Sequence, residues 1–592
     1  MSERKTGIKI LPILPLIILC AVVPLVVFAK PVPLAGIVAE LWGKDTDYDV
    51  FSWYKSLLII ICGAVMLLML VLSDTREVGF KLSRPVHWYF APLFVYLLCT
   101  ILSATFSDYL SLALWGFPER YEGTMVISAY IITVFYTFFF INNGRQIKTI
   151  IISLAISSVL VSIPGIFQYF DMDYFQWDAF RNIILSPAKD IIPKVLYEWN
   201  AVYSTLYNPN YTGSYMAMLL PMSVAFYITS KGRIKKLLFG LLCCILFACQ
   251  IGSRSRAGFL GLLFAGVILL VLLRRTLLKN LGYIAALAAA FGLIFIGMNS
   301  YKKGALSSQY ERIGTELQAV VTAPQVKTPV RDIVMDKNTI TVVCDTNPVS
   351  IAFEDNRLVF ADDSGNKLET VYTKTDAGMK ITFANEKYDD YEFVYNPQTV
   401  TLSMSKADKL FEFVVSGNEF LFVDNKGRLT KISPVRKLDL KGREYIVKGR
   451  IYIWTRTIPI LLDSVFLGQG ADTYPVYFPQ DDYIGKLNGI GDMWILIDKP
   501  HNLYLQVGTS SGIIAMIAFL LLFSVYFIHS IKLYINNKQF DFNISAGIAF
   551  FAAFCGYAVA AFFNDSVVSV APVFWVLLGL GIALNTRQVS LD

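Results

Sequence analysis

Long uncharged stretches alternate with short polar ones along most of the chain. Twelve apolar runs stand out, at roughly 10–29, 55–72, 86–103, 124–141, 149–169, 211–229, 237–251, 257–273, 281–298, 508–530, 543–563 and 566–585. Most approach the about 20 residues that an α-helix needs to cross a ~30 Å hydrocarbon core. Their interiors hold no Asp, Glu, Lys or Arg. The first run follows MSERKTGIK and ends VFA, the outline of a secretory signal. Its apolar length exceeds the ~7–15 residues of a signal core, so it reads as a retained span.

Between the ninth and tenth runs the pattern changes. From about 328 to 432, segments such as TITVVC, RLVFA, KITFA, EFVYN, TVTLSM and EFLFVD alternate or cluster β-formers. DDSGN, NPQ and DNKG punctuate them as turns. GRIYIWTRTIPILLDSVF then reads as an amphipathic helix at the membrane surface. The predicted organisation is nine transmembrane helices over 1–298, a loop over 299–450 with the β-rich insert, a helical loop over 451–507, and three transmembrane helices over 508–592. The fold class is an all-α polytopic membrane protein of about 12 transmembrane helices with an inserted extracytoplasmic β-rich domain.

Composition agrees. A mean hydropathy of +0.53, with 55% hydrophobic and 16% charged residues, excludes an ordinary soluble domain. Placing the N-terminus in the cytoplasm puts 18 Lys and Arg in the inside connections and tails, against five in the short outside ones (Lys30, Lys44, Arg120, Arg254 and Arg256). This is the bias of positive loops staying inside, and it leaves both termini cytoplasmic. The net charge of +7 is mostly this anchoring, so nucleic acid is not implied. Seven of the eight cysteines lie in the runs and Cys344 has no outside partner, so neither a disulfide framework nor a metal site is predicted. Charge-free spans also argue against an ion-coupled transporter.

Candidate chemistry falls in the outside loops. His87 and His529 sit among interfacial aromatics and Lys532 at inside ends of spans and read as anchors. His501, in DKPHNLYLQVGTSSG, is the one histidine on the outside; it is either an interfacial cap or a general base. In GSRSRAG, Arg254 and Arg256 break the charge trend, forming either a solvated turn or a clamp for phosphate oxygens. Arg450 opens the amphipathic helix as a snorkelling residue or a third cation of that clamp. Asp481 and Asp482 read as a solvated acidic pair.

YNPNYTGSYMAMLLPM, SRAGFLGLLFAG, RIYIWTRTI, FLGQGADTYPVYFP and HNLYLQVGTSSGIIA follow one another in the order of a known group. The chain resembles the O-antigen ligase and polymerase superfamily of bacterial envelope glycosyltransferases. The ligase signature is His, then Asn, Ser or Gln, nine residues, and Gly, met here by His501, Asn502 and Gly512. Its last position, usually Gly, Thr or Tyr, is Ala515. The resemblance spans 1–310 and 445–592 and leaves out the β-rich insert.

It implies a GT-C-like, inverting, metal-independent enzyme without cofactor. The donor would be a glycan on undecaprenyl diphosphate; the acceptor a hydroxyl of a lipid, glycan, protein or wall. The site would lie on the extracytoplasmic face of the bacterial cytoplasmic membrane. His501 would be the catalytic base, and Arg256, Arg254 and Arg450 would bind the diphosphate. Asn502, Tyr504, Asn208 and Asn210 would shape the substrate pocket, although N-P-N is also an ordinary turn signal. A polymerase of the same superfamily is the alternative within the class; a polysaccharide or lipid-linked glycan transporter, or a scaffold presenting the insert, are the alternatives outside it.

Overall fold

The computed structural model describes residues 11–73, 84–186, 202–309, 311, 314, 330–354, 357–417, 419–440, 443–537 and 540–589. The N-terminal tail, the basic connection 74–83 and the expected start of the β-rich insert lie outside these residues.

Every predicted apolar run contains helix, but among the described residues only eight helices are long and apolar enough to cross a membrane. These are α1 (Trp53–Leu72), α2 (Arg84–Thr105), α4 (Gly144–Tyr169), α6 (Arg233–Ser253), α7 (Arg256–Lys279), α8 (Leu281–Tyr301), α12 (Ile513–Tyr534) and α13 (Phe542–Ala560). The other four runs fall short for physical reasons. The first is a Pro-punctuated mix of helix types over Leu11–Leu25, and α3 (Thr124–Phe140) has 17 residues. α5 (Pro209–Thr229) is long but rich in Tyr, Ser and Thr, because 17 of its 21 residues are buried among α6, α7 and α13 and few need to suit lipid. α14 (Ala571–Val589) starts five residues later than predicted.

The predicted span 508–530 is two helices. A short α11 (Leu503–Ser511) ends at Gly512, and α12 starts anew. Gly512 has φ +97°, and a Cβ there would lie 2.7 Å from the Phe466 carbonyl oxygen. Only glycine suits both that backbone and that approach. The glycine that ends the His–Gly signature is thus a helix break.

β1 (Lys30–Pro33) and β2 (Thr46–Asp49) form a small hairpin. The strands β3 (Asp332–Asp336), β4 (Thr339–Val343), β5 (Val349–Glu354) and β6 (Arg357–Ala361) form one antiparallel sheet. A second sheet runs β7 (Thr370–Thr375), β8 (Gly378–Phe383), β9 (Tyr391–Asn396), β10 (Thr401–Lys406), β11 (Lys409–Ser416), β12 (Glu419–Val423) and β13 (Leu429–Thr430). Strict alternation of buried and partly exposed positions, as in β4 and β12, gives each sheet one apolar face. These faces share a core with Tyr483, Ile484 and Met493. The sheets are thereby seated on α10 (Tyr483–Ile490), next to the amphipathic α9 (Arg450–Asp463).

Candidate functional site

On the β-sheet side of the helices, two glycine-containing motifs meet. A Cβ on Gly213 would lie 2.1 Å from the Ser255 Cβ, and one on Gly258 would lie 2.5 Å from the Gly213 carbonyl oxygen. YTGSY and SRAG carry these glycines so that α5 and α7 can touch backbone to backbone. Ser255 caps α7 by accepting from the Gly258 N–H and donates to Asn210 Oδ1 at 3.4 Å. Asn208 caps α5 and accepts from the Asn210 N–H. The Asn564 amide donates to the Asn210 carbonyl and to the Ser214 hydroxyl. Asn208 and Asn210 thus frame the arginine turn.

His501 lies in the left-handed region at φ +50°, a conformation His tolerates better than most residues but one that usually marks a special site. Its Nδ1 is 3.3 Å from Asp565 Oδ2, while the Asn502 N–H donates to Asp565 Oδ1. One buried carboxylate therefore grips both residues of the His-Asn pair. The histidine side chain is one-third exposed and the carboxylate of Asp565 not at all.

Asn502 is the N-cap of α11: its Oδ1 accepts from the Leu505 N–H and its amide donates to the Phe562 carbonyl. The Tyr504 hydroxyl donates to the Ala558 carbonyl. The two residues fasten α11 to the last turn of α13 and to the segment after it, beneath His501. Trp454 Nε1 donates to the Pro500 carbonyl and so holds α9 against the histidine from the other side.

The predicted cations divide. Arg450, the first residue of α9, feels burial, Asp565 and Arg256, and its guanidinium pKa is lowered on balance. Two guanidinium groups close enough for one to lower the other's affinity for a proton form a cationic pair, and such forks of donors suit phosphate oxygens. Arg254 caps α6 at φ +54°; its carbonyl accepts from Gln309 Nε2 and its charge neighbours Tyr169. The structure therefore groups His501 and Arg450 around Asp565, with Arg256 beside Arg450 and Arg254 at the C-terminal cap of α6.

Several charged residues at this site were not among the predicted site residues. Arg120 Nε lies 2.6 Å from Asp472 Oδ1, and its Nη1 donates to the Asp498 carbonyl. Asp472 Oδ2 accepts from the N–H groups of Phe117 and Glu122. Lys499 Nζ donates to the Tyr211 hydroxyl and lies 3.2 Å from Asp498. Burial alone would raise the pKa of Asp565, but His501, Arg120 and Lys499 hold it below the ordinary carboxylate value. Asp498 is lowered likewise, with Lys499 and Arg120 outweighing burial. By contrast, burial pushes Glu122 up to about 7; it accepts from Tyr130, Ser566 and Gln506. Of these, Arg120 was visible as an outside cation; Asp565 had only its position in a short connection on the side of His501.

Of the acidic pair, Asp481 is exposed as expected, but Asp482 is not free in solvent. Asp482 caps α10 and accepts from Arg456 Nε at 2.9 Å and from the Tyr452 hydroxyl. Arg456 is 2% exposed and needs that counter-charge.

Fold and site define a multi-pass membrane protein with a buried charge cluster where its helices meet the β-sheet side. Residues 406–520 match the family model described as O-antigen ligase. This stretch, about a fifth of the chain, is thus similar to the O-antigen ligase family and supports the resemblance to the O-antigen ligase and polymerase superfamily, a glycosyltransferase-like group. It includes RIYIWTRTI, FLGQGADTYPVYFP and HNLYLQVGTSSGIIA and leaves out the two earlier motifs. The matched stretch starts on β10, so the last strands of the insert fall within it, against the expectation that the whole insert lay outside the resemblance. No curated protein and no solved structure matches the chain.

Proposed function

We propose that this protein is a GT-C-like transferase that moves a glycan from a polyprenyl diphosphate, such as undecaprenyl diphosphate, to a hydroxyl acceptor on the extracytoplasmic face of the bacterial cytoplasmic membrane. The observation that carries the reading is the grip of Asp565 on His501 beside Arg450 and Arg256.

With Nδ1 facing Asp565, the imidazole presents Nε2 to an incoming hydroxyl. Nε2 takes the acceptor proton as the acceptor oxygen bonds to the anomeric carbon. The bond from that carbon to the diphosphate oxygen breaks, and its electron pair leaves with the diphosphate. Asp565 stabilises the imidazolium formed, and the two guanidinium groups stabilise the leaving charge. A positioned base contributes about 10²–10⁴-fold.

A purified-protein assay with a defined lipid-linked glycan tests this. His501→Ala should lose transfer by at least about 100-fold while the protein still inserts and purifies as a monodisperse species. Transfer at the wild-type rate would sink the assignment. Ala515, where the ligase signature has Gly, Thr or Tyr, keeps a polymerase reaction as the second reading. Single repeats accumulating in a deletion strain would favour polymerisation, and full-length lipid-linked chains would favour ligation.

A further inference from the structure

At the ends of the helices away from the β sheets, α4, α5, α6 and the start of α13 leave an elongated groove of about 670 Å³. That lies within the ~300–1,000 Å³ of ordinary ligand pockets. Its walls are two apolar stripes at helical spacing: Ile151, Ile152, Ala155, Ile156 and Val159 on α4, and Leu238, Phe239 and Leu242 on α6. Its mouth is polar, with Lys148, Lys231 and Lys235, all exposed, against one acid, Asp541. Lys148 Nζ sits 4.7 Å above the Phe542 ring, so that lysine is held at the entrance.

We infer that this groove binds an anionic two-chain phospholipid. An amphiphilic cavity with an apolar shaft and a cationic mouth matches an amphiphile with an anionic head. From Lys148 to Val159 the shaft descends 11 residues, about 16 Å at 1.5 Å per residue. That is roughly half of a ~30 Å hydrocarbon core, the depth of one leaflet. The charge balance of the mouth is three cations to one anion, and each lysine near a membrane surface favours anionic lipid. The bilayer's own phospholipids are the amphiphiles present at high concentration along a groove open to the side. This site is separate from the proposed transferase centre and does not depend on that reading. It is nevertheless continuous with it through the helices: α5, α6 and α13 each have one end here and the other at Asn210, Arg254 and the Asp565 segment.

The test is native mass spectrometry of the full-length protein in detergent with equal amounts of phosphatidylglycerol and phosphatidylcholine. Wild type should retain phosphatidylglycerol with a preference of about tenfold. The triple variant Lys148→Gln, Lys231→Gln, Lys235→Gln should lose the preference, and the triple Lys→Arg variant should keep it. Ala155→Trp, which fills the shaft, should lower retention of both lipids. His501→Ala should leave the preference unchanged, which separates failure of this site from failure of the transferase reading. Equal retention of the two lipids by wild type would overturn the inference, as would a preference surviving the Gln triple. Stronger retention of undecaprenyl phosphate than of phosphatidylglycerol would overturn the phospholipid assignment.

Discussion

Asp565→Asn isolates the least expected element of the site. The substitution keeps the shape, and an amide oxygen can still accept the Asn502 N–H. Its NH₂ would then face His501 Nδ1, which must become the acceptor and move the ring proton to Nε2. A histidine protonated at Nε2 cannot take the acceptor proton there, and the stabilising charge beside the imidazolium is gone. The expected loss is most of the base contribution, about 10²–10⁴ in kcat, or roughly 3–5 kcal/mol of transition-state stabilisation. KM for the lipid-linked donor should not rise, because Arg256 and Arg450 stay in place and Arg450 only loses a competing carboxylate. Steady-state kinetics of purified protein would read both parameters. A variant with wild-type kcat, or one in which KM alone rises, would refute the role of Asp565 and with it the Nε2 assignment.

Three further outcomes follow from the geometry. Glu122 has a folded pKa near 7 against an ordinary 4.5, so its folded form binds a proton more tightly and stability falls as pH rises from 4.5 through 7. Glu122→Gln should therefore reduce the drop in melting temperature between pH 5 and pH 8, a drop worth up to about 3 kcal/mol for this group; an unchanged pH difference would contradict the burial argument. Gly258→Ala should force α5 and α7 apart, costing about 1–3 kcal/mol by thermal unfolding and displacing Arg256; a wild-type melting point with full activity would show the contact to be slack. Asp482→Ala should leave the buried Arg456 with only Glu444, 3.6 Å from its Nη1, and destabilise by up to about 3–5 kcal/mol, with the Asp482→Ala, Arg456→Met double variant recovering part of it; no recovery would mean that the capping of α10 dominates.

The alternating segments between 339 and 423 are strands because period-two patterning needs only a sheet with one dry face, which neighbouring residues supply. The twelve apolar runs are helices for an equally local reason. Counting which of them are long and apolar enough to cross a bilayer was harder, since α5 is screened from lipid by its neighbours and composition cannot report that. The arginine and histidine motifs were legible as candidates because charged groups are rare in so apolar a chain.

The sequence by itself determined a multi-pass helical protein with a β-rich interruption, and singled out His501, Arg256 and Arg450. Only tertiary structure decided that His501 and Arg450 share one carboxylate and that Arg256 sits beside Arg450. Asp565 lies 63 residues from the Asn502 that it also binds, and Arg120 lies 378 from Asp498. A lone acid in a short connection has no periodicity and no partner in sequence. It acquires a role only when helix packing brings it into low dielectric beside an imidazole, where an unpaired charge could not persist.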